Sequence, residues 1–260
     1  MNQKVAALIL AGTRPGGDPL ARHAGVGHKA LIPINGRPML CHVANALLAC
    51  PAVEQVAVSI EDAAVVSDAR LLVIPAAASA SASVEAAIRQ FGTPLLVTTA
   101  DHPLLKREWI AYFLDHLPDA SVVAALAGSE AVMAAVPTTR RTFLRFRGGA
   151  YSGCNLFYFR DEKALAVIDL WRRIEQDRKR PWRMARLLGP SAIASYLLGR
   201  LTIDSALRRL GAITDARLGF VDMPFGESAI DIDNAGDLDL VRKLMTDDTL
   251  ARHGLPDLPS

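Results

Sequence analysis

The sequence predicts an α/β fold, a Rossmann-like and mostly parallel sheet flanked by helices, with a helical insertion in the C-terminal half. Three observations predict it. From Lys4 to Ala127 short apolar runs alternate with helical patterns, as in a parallel sheet covered by helices. The 260 residues are 51% apolar and 22% charged, which suits a substantial core and not a disordered segment. Between Asp161 and about Gly211 the pattern turns helix-rich before one more strand and one more helix return to the sheet.

In chain order, strands are expected at Val5–Leu10, Val53–Ile60, Leu71–Ile74, Leu95–Thr99 and Ser121–Leu126. Between them Met39–Ala49, Val84–Phe91 and Glu108–Leu117 carry apolar residues at helical spacing. Right-handed crossovers then set the strand carboxyl ends along one edge, where ligands of open α/β sheets collect. After Val136 come a basic stretch (Arg140, Arg141, Arg145, Arg147), Gly148-Gly149 and an apolar run from Leu156 to Phe159. The helical insertion, about 161–211, contains the basic cluster from Arg178 to Arg186. A strand at Leu218–Met223 and a helix from Ala235 to Met245 complete one domain over 1–246. The tail 247–260, with Pro256 and Pro259, is expected to be loosely held.

Charge and cysteine usage exclude several classes. With 29 basic and 27 acidic side chains the net charge is +2, far from that of a general nucleic-acid binder, so any phosphate recognition is local. Cys41, Cys50 and Cys154 form no C-x-x-C pair, which argues for a reducing compartment and against structural zinc. The apolar run Val5–Ala11 is too short for a signal peptide, and no apolar run is long enough to span a bilayer. A cytoplasmic protein that binds neither nucleic acid nor membrane is expected.

Three constellations fall on the ligand edge. The first strand is followed by Leu10-Ala11-Gly12-Thr13-Arg14-Pro15-Gly16-Gly17, and then by Lys29 within Gly27-His28-Lys29-Ala30-Leu31. Small residues there let backbone amides approach phosphate oxygens, and a nearby cation balances their charge. A triphosphate is the natural guest, although the spacing is neither a Walker A nor a G-x-G-x-x-G sequence and a plain turn explains it equally well. Next, in Thr98-Thr99-Ala100-Asp101-His102-Pro103, a strand ends in a carboxylate placed to hold Mg²⁺; a cap or turn before Pro103 is the alternative. Last, Asp231 and Asp233 alternate on a short segment before a helix. On an extended backbone they share a face and can share a cation, while Asp233 or Asn234 can equally cap the helix.

Together these constellations resemble the nucleotidyltransferases of the MobA-like superfamily, which includes cytidylyltransferases and guanylyltransferases acting on phosphorylated small molecules. The resemblance runs from Ala7 to about Val241. Leu10, Ala11, Gly12 and Lys29 match the first-strand motif, and Ala30 to Leu40 reproduces the K-x-L-x-x-x-x-G-x-P-x-L continuation, the most specific match. The resemblance implies that Asp101 is a metal ligand and that a second metal position falls on Asp233, with Asp231 beside it. It implies nucleotide binding by Leu10, Ala11, Gly12, Thr13, Arg14, Lys29, Ser79, Ser83 and Asp101, and an acceptor pocket bordered by Gly153 and Asn155. The chain departs from the family in a longer first loop, which leaves the arginine role to Arg14 or Arg22. The stretch Ala76–Ala82 lacks the usual base-reading glycines, leaving the nucleotide open, with CTP or GTP favoured. The insertion is longer than the minimal fold requires and fits a lid, an arm pairing a homodimer, or a partner-docking surface.

The implied reaction is Mg²⁺-dependent transfer of NMP from an NTP to a small-molecule acceptor with release of pyrophosphate, carried by Lys29, Asp101 and Asp233. Positioning and electrostatics suffice for it, and no protein nucleophile is needed. Arg180 and Arg183, near Trp182, suit a phosphorylated acceptor, and a solvated helix face explains the same charges. A nucleotide-sugar glycosyltransferase also joins such a sheet to an Asp-x-Asp motif, but here that motif lies late and Lys29 is better explained by a triphosphate. A non-catalytic nucleotide-binding regulator is the third reading, weakened by the joint presence of Lys29, Asp101 and Asp233. Among the histidines only His102, beside Asp101, is singled out for testing.

Overall fold

The computed structural model describes residues 4–13, 16–177 and 189–252. Its centre is an eight-stranded sheet. The strands β1 (Val5–Leu10), β4 (Val53–Ile60), β5 (Leu71–Pro75) and β6 (Leu95–Thr99) run parallel to their neighbours in the spatial order β6-β1-β4-β5. On the far side β7 (Val122–Gly128) and β10 (Leu218–Asp222) form a parallel pair. Between these halves lies β9 (Gly149–Phe159), antiparallel to both β6 and β7, with the short β8 (Leu144–Phe146) folded back on it. A separate ribbon joins β2 (Pro33–Ile34) to β3 (Arg37–Pro38).

Alternation along β1 explains its unbroken apolar run. Val5, Ala7 and Ile9 enter one core cluster, whereas Ala6 and Leu8 enter another on the opposite face, because successive strand residues point to opposite sides. The first face is covered by α2 (Met39–Leu48), α4 (Arg107–Asp115) and α9 (Ala235–Arg252), through Val43, Ile110, Phe113 and Val241. The second is covered by α3 (Ala80–Phe91) and α6 (Ala164–Asp177), through Val84, Ile88 and Ile168. The remaining helices among the described residues are α1 (Pro19–His23), α5 (Ser129–Ala135), α7 (Pro190–Leu197) and α8 (Ile203–Thr214). No helix among the described residues is long and apolar enough to cross a membrane.

Several boundaries differ from the sequence expectation for identifiable reasons. Helix α3 begins before Val84 because the Ser79 hydroxyl accepts the Ala82 amide at 3.2 Å and starts the helix within the Ala/Ser stretch. Strand β9 starts at Gly149, well before the apolar run at Leu156. Its pairing with β7 shifts between Ala124 and Leu126, and Asn155 takes a left-handed φ of 48°, which breaks the apolar alternation mid-strand. Helix α9 continues to Arg252, so residues 247–252 of the tail expected to be loose are helical, and 253–260 lie outside the described residues. The described residues of the insertion are mainly helical, in α6, α7 and α8. Its basic cluster, with Arg180, Arg183 and Trp182, lies outside the described residues, as does Arg14.

Candidate active site

The loop that follows β1 rests against the ends of β4 and β5. The Ala11 amide donates to the Ser59 carbonyl at 2.9 Å, and the Thr13 amide to Glu61 Oε1 at 2.6 Å. A Cβ on Gly12 would stand 3.3 Å from both Ala76 Cβ and Glu61 Oε1, so this position has no slack for a side chain. Ser83 Oγ accepts the Ala77 amide at 2.9 Å. Ser79 and Ser83 therefore shape the bend at 76–79 that Gly12 faces. Across the loop, Asp18 caps α1, accepting from the Leu20 amide at 2.7 Å, and Arg22 donates to the Gly16 carbonyl at 3.1 Å.

Lys29 opens a 3-10 turn, Lys29–Leu31, capped by His28, whose Nδ1 accepts the Ala30 amide at 3.0 Å. That bond leaves the His28 ring proton on Nε2, which faces Glu61 Oε2 at 3.6 Å. The Lys29 ammonium donates to Asp101 Oδ2 at 2.8 Å. Asp101 stands two residues past β6, and the intervening Ala100 ties the strand end to β1 by donating its amide to the Leu10 carbonyl at 2.9 Å. The third expected residue, Asp233, is more than a hundred positions further along the sequence, and one backbone bond brings its segment in: the Ile232 amide donates to the Asp101 carbonyl at 2.9 Å. Lys29, Asp101, Asp233 and residues Leu10 to Thr13 all line one cavity of about 420 Å³.

The two aspartates of the late segment have separate fates. Residues 230–234 are not a strand, and Asp231 turns inward while Asp233 stays exposed. Asp231 Oδ1 accepts from Arg141 Nη1, and its Oδ2 accepts from Asn155 Nδ2 at 2.5 Å. The expected common face for Asp231 and Asp233 is thus not found, because the Ile232 bond holds the segment in a bend and both Asp231 oxygens are engaged. Asn155 reaches Asp231 from its left-handed position on β9, and Gly153 lies exposed two residues before it. Asn234 caps α9, its Oδ1 accepting the Asp237 amide at 3.2 Å while Asp237 Oδ2 accepts the Asn234 amide at 3.2 Å. Asp233 is thereby left without the capping duty.

The electrostatics separate these carboxyls further. Burial pushes the Asp101 carboxyl up, but the Lys29 ammonium outweighs burial and the net shift is downward. For Asp231 burial wins over Arg141, aided by the charges of Asp101 and Asp233, and its carboxyl is raised. His102 is fully buried against the Trp109 ring, 6.2 Å between centroids, and burial lowers it to about 4. Asp101 Oδ1 is buried with no hydrogen-bond partner, and among the described residues the Asp233 carboxylate accepts no hydrogen bond. Such a pair of free carboxylate oxygens fits a hard divalent cation. No cluster of three or more potential ligands occurs among the described residues, so ligand phosphates and water must complete any such shell.

Glu61 and Arg141 were not singled out by the sequence. Glu61 was legible as an acidic residue just past a strand adjacent to β1, whereas Arg141 stood inside a basic run with nothing to distinguish it.

A mostly parallel α/β sheet whose strand ends gather a glycine-containing loop, a lysine and two cavity-lining carboxylates has the layout of a nucleotide-handling transferase. The chain belongs to the MobA-like NTP transferase domain family, whose profile matches residues 7–213. That match ends before Asp233. No curated protein sequence matches the chain. Among solved structures it is similar to a hypothetical transferase from Thermus thermophilus, with 32% identity over 91% of this chain and 100% of that one and a TM-score of 0.80. It shares its fold with a CMP:2-keto-3-deoxy-manno-octonic acid synthetase complexed with CTP, at 15% identity, 94% and 100% coverage and a TM-score of 0.59. The same holds for 4-diphosphocytidyl-2C-methyl-D-erythritol synthase from Anaerococcus prevotii, at 11% identity, 94% and 97% coverage and a TM-score of 0.59.

Proposed function

We propose that the protein transfers a nucleotidyl group from an NTP, CTP or GTP by preference, to a phosphorylated small-molecule acceptor and releases pyrophosphate. The observation that carries this reading is the convergence of Lys29, Asp101 and Asp233 on the cavity formed by the loop after β1. In it, Asp101 and Asp233 would hold Mg²⁺, which would supply Lewis-acid stabilisation of phosphate charge when bound. Lys29 is the fixed cation beside the α-phosphate, kept in place by its 2.8 Å bond to Asp101. Charge fixed in advance in a partly enclosed site lowers the barrier more than mobile charge in water. The acceptor oxygen bonds to the α-phosphorus as the bond to the bridging oxygen of pyrophosphate breaks, and alignment of the two is the main task of the protein. Gly153 and Asn155 belong to the acceptor side, Asn155 by fixing Asp231.

Thermal-shift titration with the four triphosphates and Mg²⁺ identifies the donor, since a ligand of the native state raises stability by mass action. Pyrophosphate release over a panel of phosphorylated acceptors then reads turnover. Asp101→Asn and Asp233→Asn are expected to lower the rate by on the order of 100-fold or more while the proteins stay folded. Folded variants that release pyrophosphate at the wild-type rate overturn the assignment.

A further inference from the structure

We infer that Glu175, on the first helix of the insertion, is a positioning residue for the nucleotide site, holding the bend at 76–79 against the loop after β1 through a chain of hydroxyls; this rests on the nucleotidyl-transfer reading above. Helix α6 is seated by its apolar side. Ala164 and Ile168 are buried in the second core cluster, and Trp171 packs against it. Arg172 and Glu175 continue that stripe at helical spacing and so reach α3. Arg172 Nη2 donates to Glu85 Oε2, and Glu175 Oε2 accepts the Ser81 hydroxyl at 2.5 Å. The later residue on α6 meets the earlier one on α3, so the helices run antiparallel. Glu175 thus stands at the N-terminal end of α3, where the helix dipole favours a carboxylate.

The hydroxyl chain has a fixed direction. A carboxylate can only accept, so the one hydroxyl proton of Ser81 goes to Glu175, and Ser79, whose Oγ lies 2.9 Å from Ser81 Oγ, donates to Ser81. Ser79 Oγ in turn accepts the Ala82 amide at 3.2 Å and caps α3. The charge at the end of the chain orders and polarises both hydroxyls. Ser81 is fully buried, so water cannot replace Glu175 and loss of the carboxylate strands the hydroxyl. Beyond Ser79 the bend is closed by the Ala77 amide on Ser83 Oγ and by the Ala76 amide, which donates to the Ile60 carbonyl at 3.0 Å. Ala76 is the residue whose Cβ would stand 3.3 Å from a Cβ on Gly12, and Gly12 lines the cavity that Lys29 and Asp101 share. A bend released at Ser79 loosens the wall behind Gly12. The other cross-link, Arg172 to Glu85, lies one turn further along α3, away from the bend, and serves docking of the two helices alone.

The test compares Glu175→Ala, Glu175→Gln and Arg172→Met in the full chain. Calorimetry in Mg²⁺ measures affinity for whichever of the four triphosphates stabilises wild type most, and hydrogen exchange of the Ala77 and Ala82 amides is followed without nucleotide. Glu175→Ala is expected to weaken binding about threefold to tenfold and to speed exchange at Ala82. Glu175→Gln keeps an acceptor oxygen for Ser81 and is expected to restore most of both. Arg172→Met breaks the other link between α3 and α6 while keeping an apolar stem; it is expected to lower Tm and leave affinity within about twofold. Unchanged affinity in a folded Glu175→Ala, equal weakening in Arg172→Met, or a Glu175→Gln no better than Glu175→Ala overturns the inference. If no triphosphate raises the melting temperature of wild type, the transfer reading fails and takes the affinity role with it, whatever exchange shows at Ala82. If a triphosphate binds wild type and Glu175→Ala alters neither affinity nor exchange, the positioning role alone fails.

Discussion

Arg141→Ala tests whether the ion pair with Asp231 holds the late segment in place. The two side chains are 16% and 10% exposed, so water cannot take over from the lost guanidinium. Breaking a buried pair by removing one partner costs about 3–5 kcal/mol, because the other charge is stranded. The residual exposure sets the expectation at the lower end, about 3 kcal/mol near pH 7. At roughly 2–4 °C per kcal/mol for a chain of this size, Tm falls by about 6–12 °C. The pH dependence has a definite sign. The Asp231 carboxyl is already raised, by burial first and despite Arg141, so folding stability declines as pH rises from its ordinary value through the raised one. Without Arg141 that raised value moves higher still, and the deficit is greatest at neutral pH and shrinks as the carboxyl protonates. Urea unfolding of wild type, Arg141→Ala, Asp231→Asn and the double variant, at about pH 7 and about pH 5, measures the coupling directly. The double variant is expected to recover much of the loss. Arg141→Ala within about 1 kcal/mol of wild type near neutral pH, or an equal deficit at both pH values, refutes the reasoning.

Two further outcomes follow from buried groups. Burial holds His102 at about 4, so stability is lost as pH falls from about 6.5, where the unfolded chain takes up the proton, towards that value. His102→Gln should flatten this part of the Tm–pH curve and leave no inflection missing from the pyrophosphate-release profile between about pH 6 and 8; an unchanged acid slope contradicts the assignment. Gly226 begins the 3-10 turn packed on α5, and a Cβ there would stand 2.1 Å from the Ala131 carbonyl oxygen and 2.8 Å from Ala135 Cβ. Gly226→Ala is expected to cost about 1–3 kcal/mol in urea unfolding, and a variant as stable as wild type would show that α5 yields.

The parallel half of the sheet was legible because its strands are buried on both faces and are therefore written as short apolar runs. Strand β9 was only half legible. Its run from Leu156 to Phe159 is the part enclosed between β6 and β7, while the part before Asn155 pairs with β7 and β8 and carries Gly149, Ser152 and Gly153 in its sequence. In the site, Lys29, Asp101 and Asp233 could be found because each stands at the end of an element on the ligand edge. What spacing could not supply was the bend at Ile232. It depends on a backbone bond to Asp101, and it decides that Asp231 and Asp233 face different ways. Nor could sequence distinguish Arg140 from Arg141, since the partner that separates them, Asp231, lies 90 positions away.

That separation bears on the chemistry. Among the described residues lining the cavity after β1, Lys29 is the one cation, and the carboxylates of Asp18, Asp101 and Asp233 share the lining with it. Glu61 adds a further carboxylate beside the loop after β1. Lys29 is already bonded to Asp101, so the cavity taken alone repels a triphosphate. In the proposed reading, a site of this charge would accept such a ligand only if cations arrived with it, and the carboxylates of Asp101 and Asp233 would then serve as ligands. The neighbouring cavity, which shares Asp233, sets Arg140 among the carboxylates of Asp233 and Asp237, with Arg141 already paired to Asp231, so it carries no positive excess either. A triphosphate that brings its own cations is, in that reading, the ligand matched to the negative charge that the cavity after β1 leaves uncancelled.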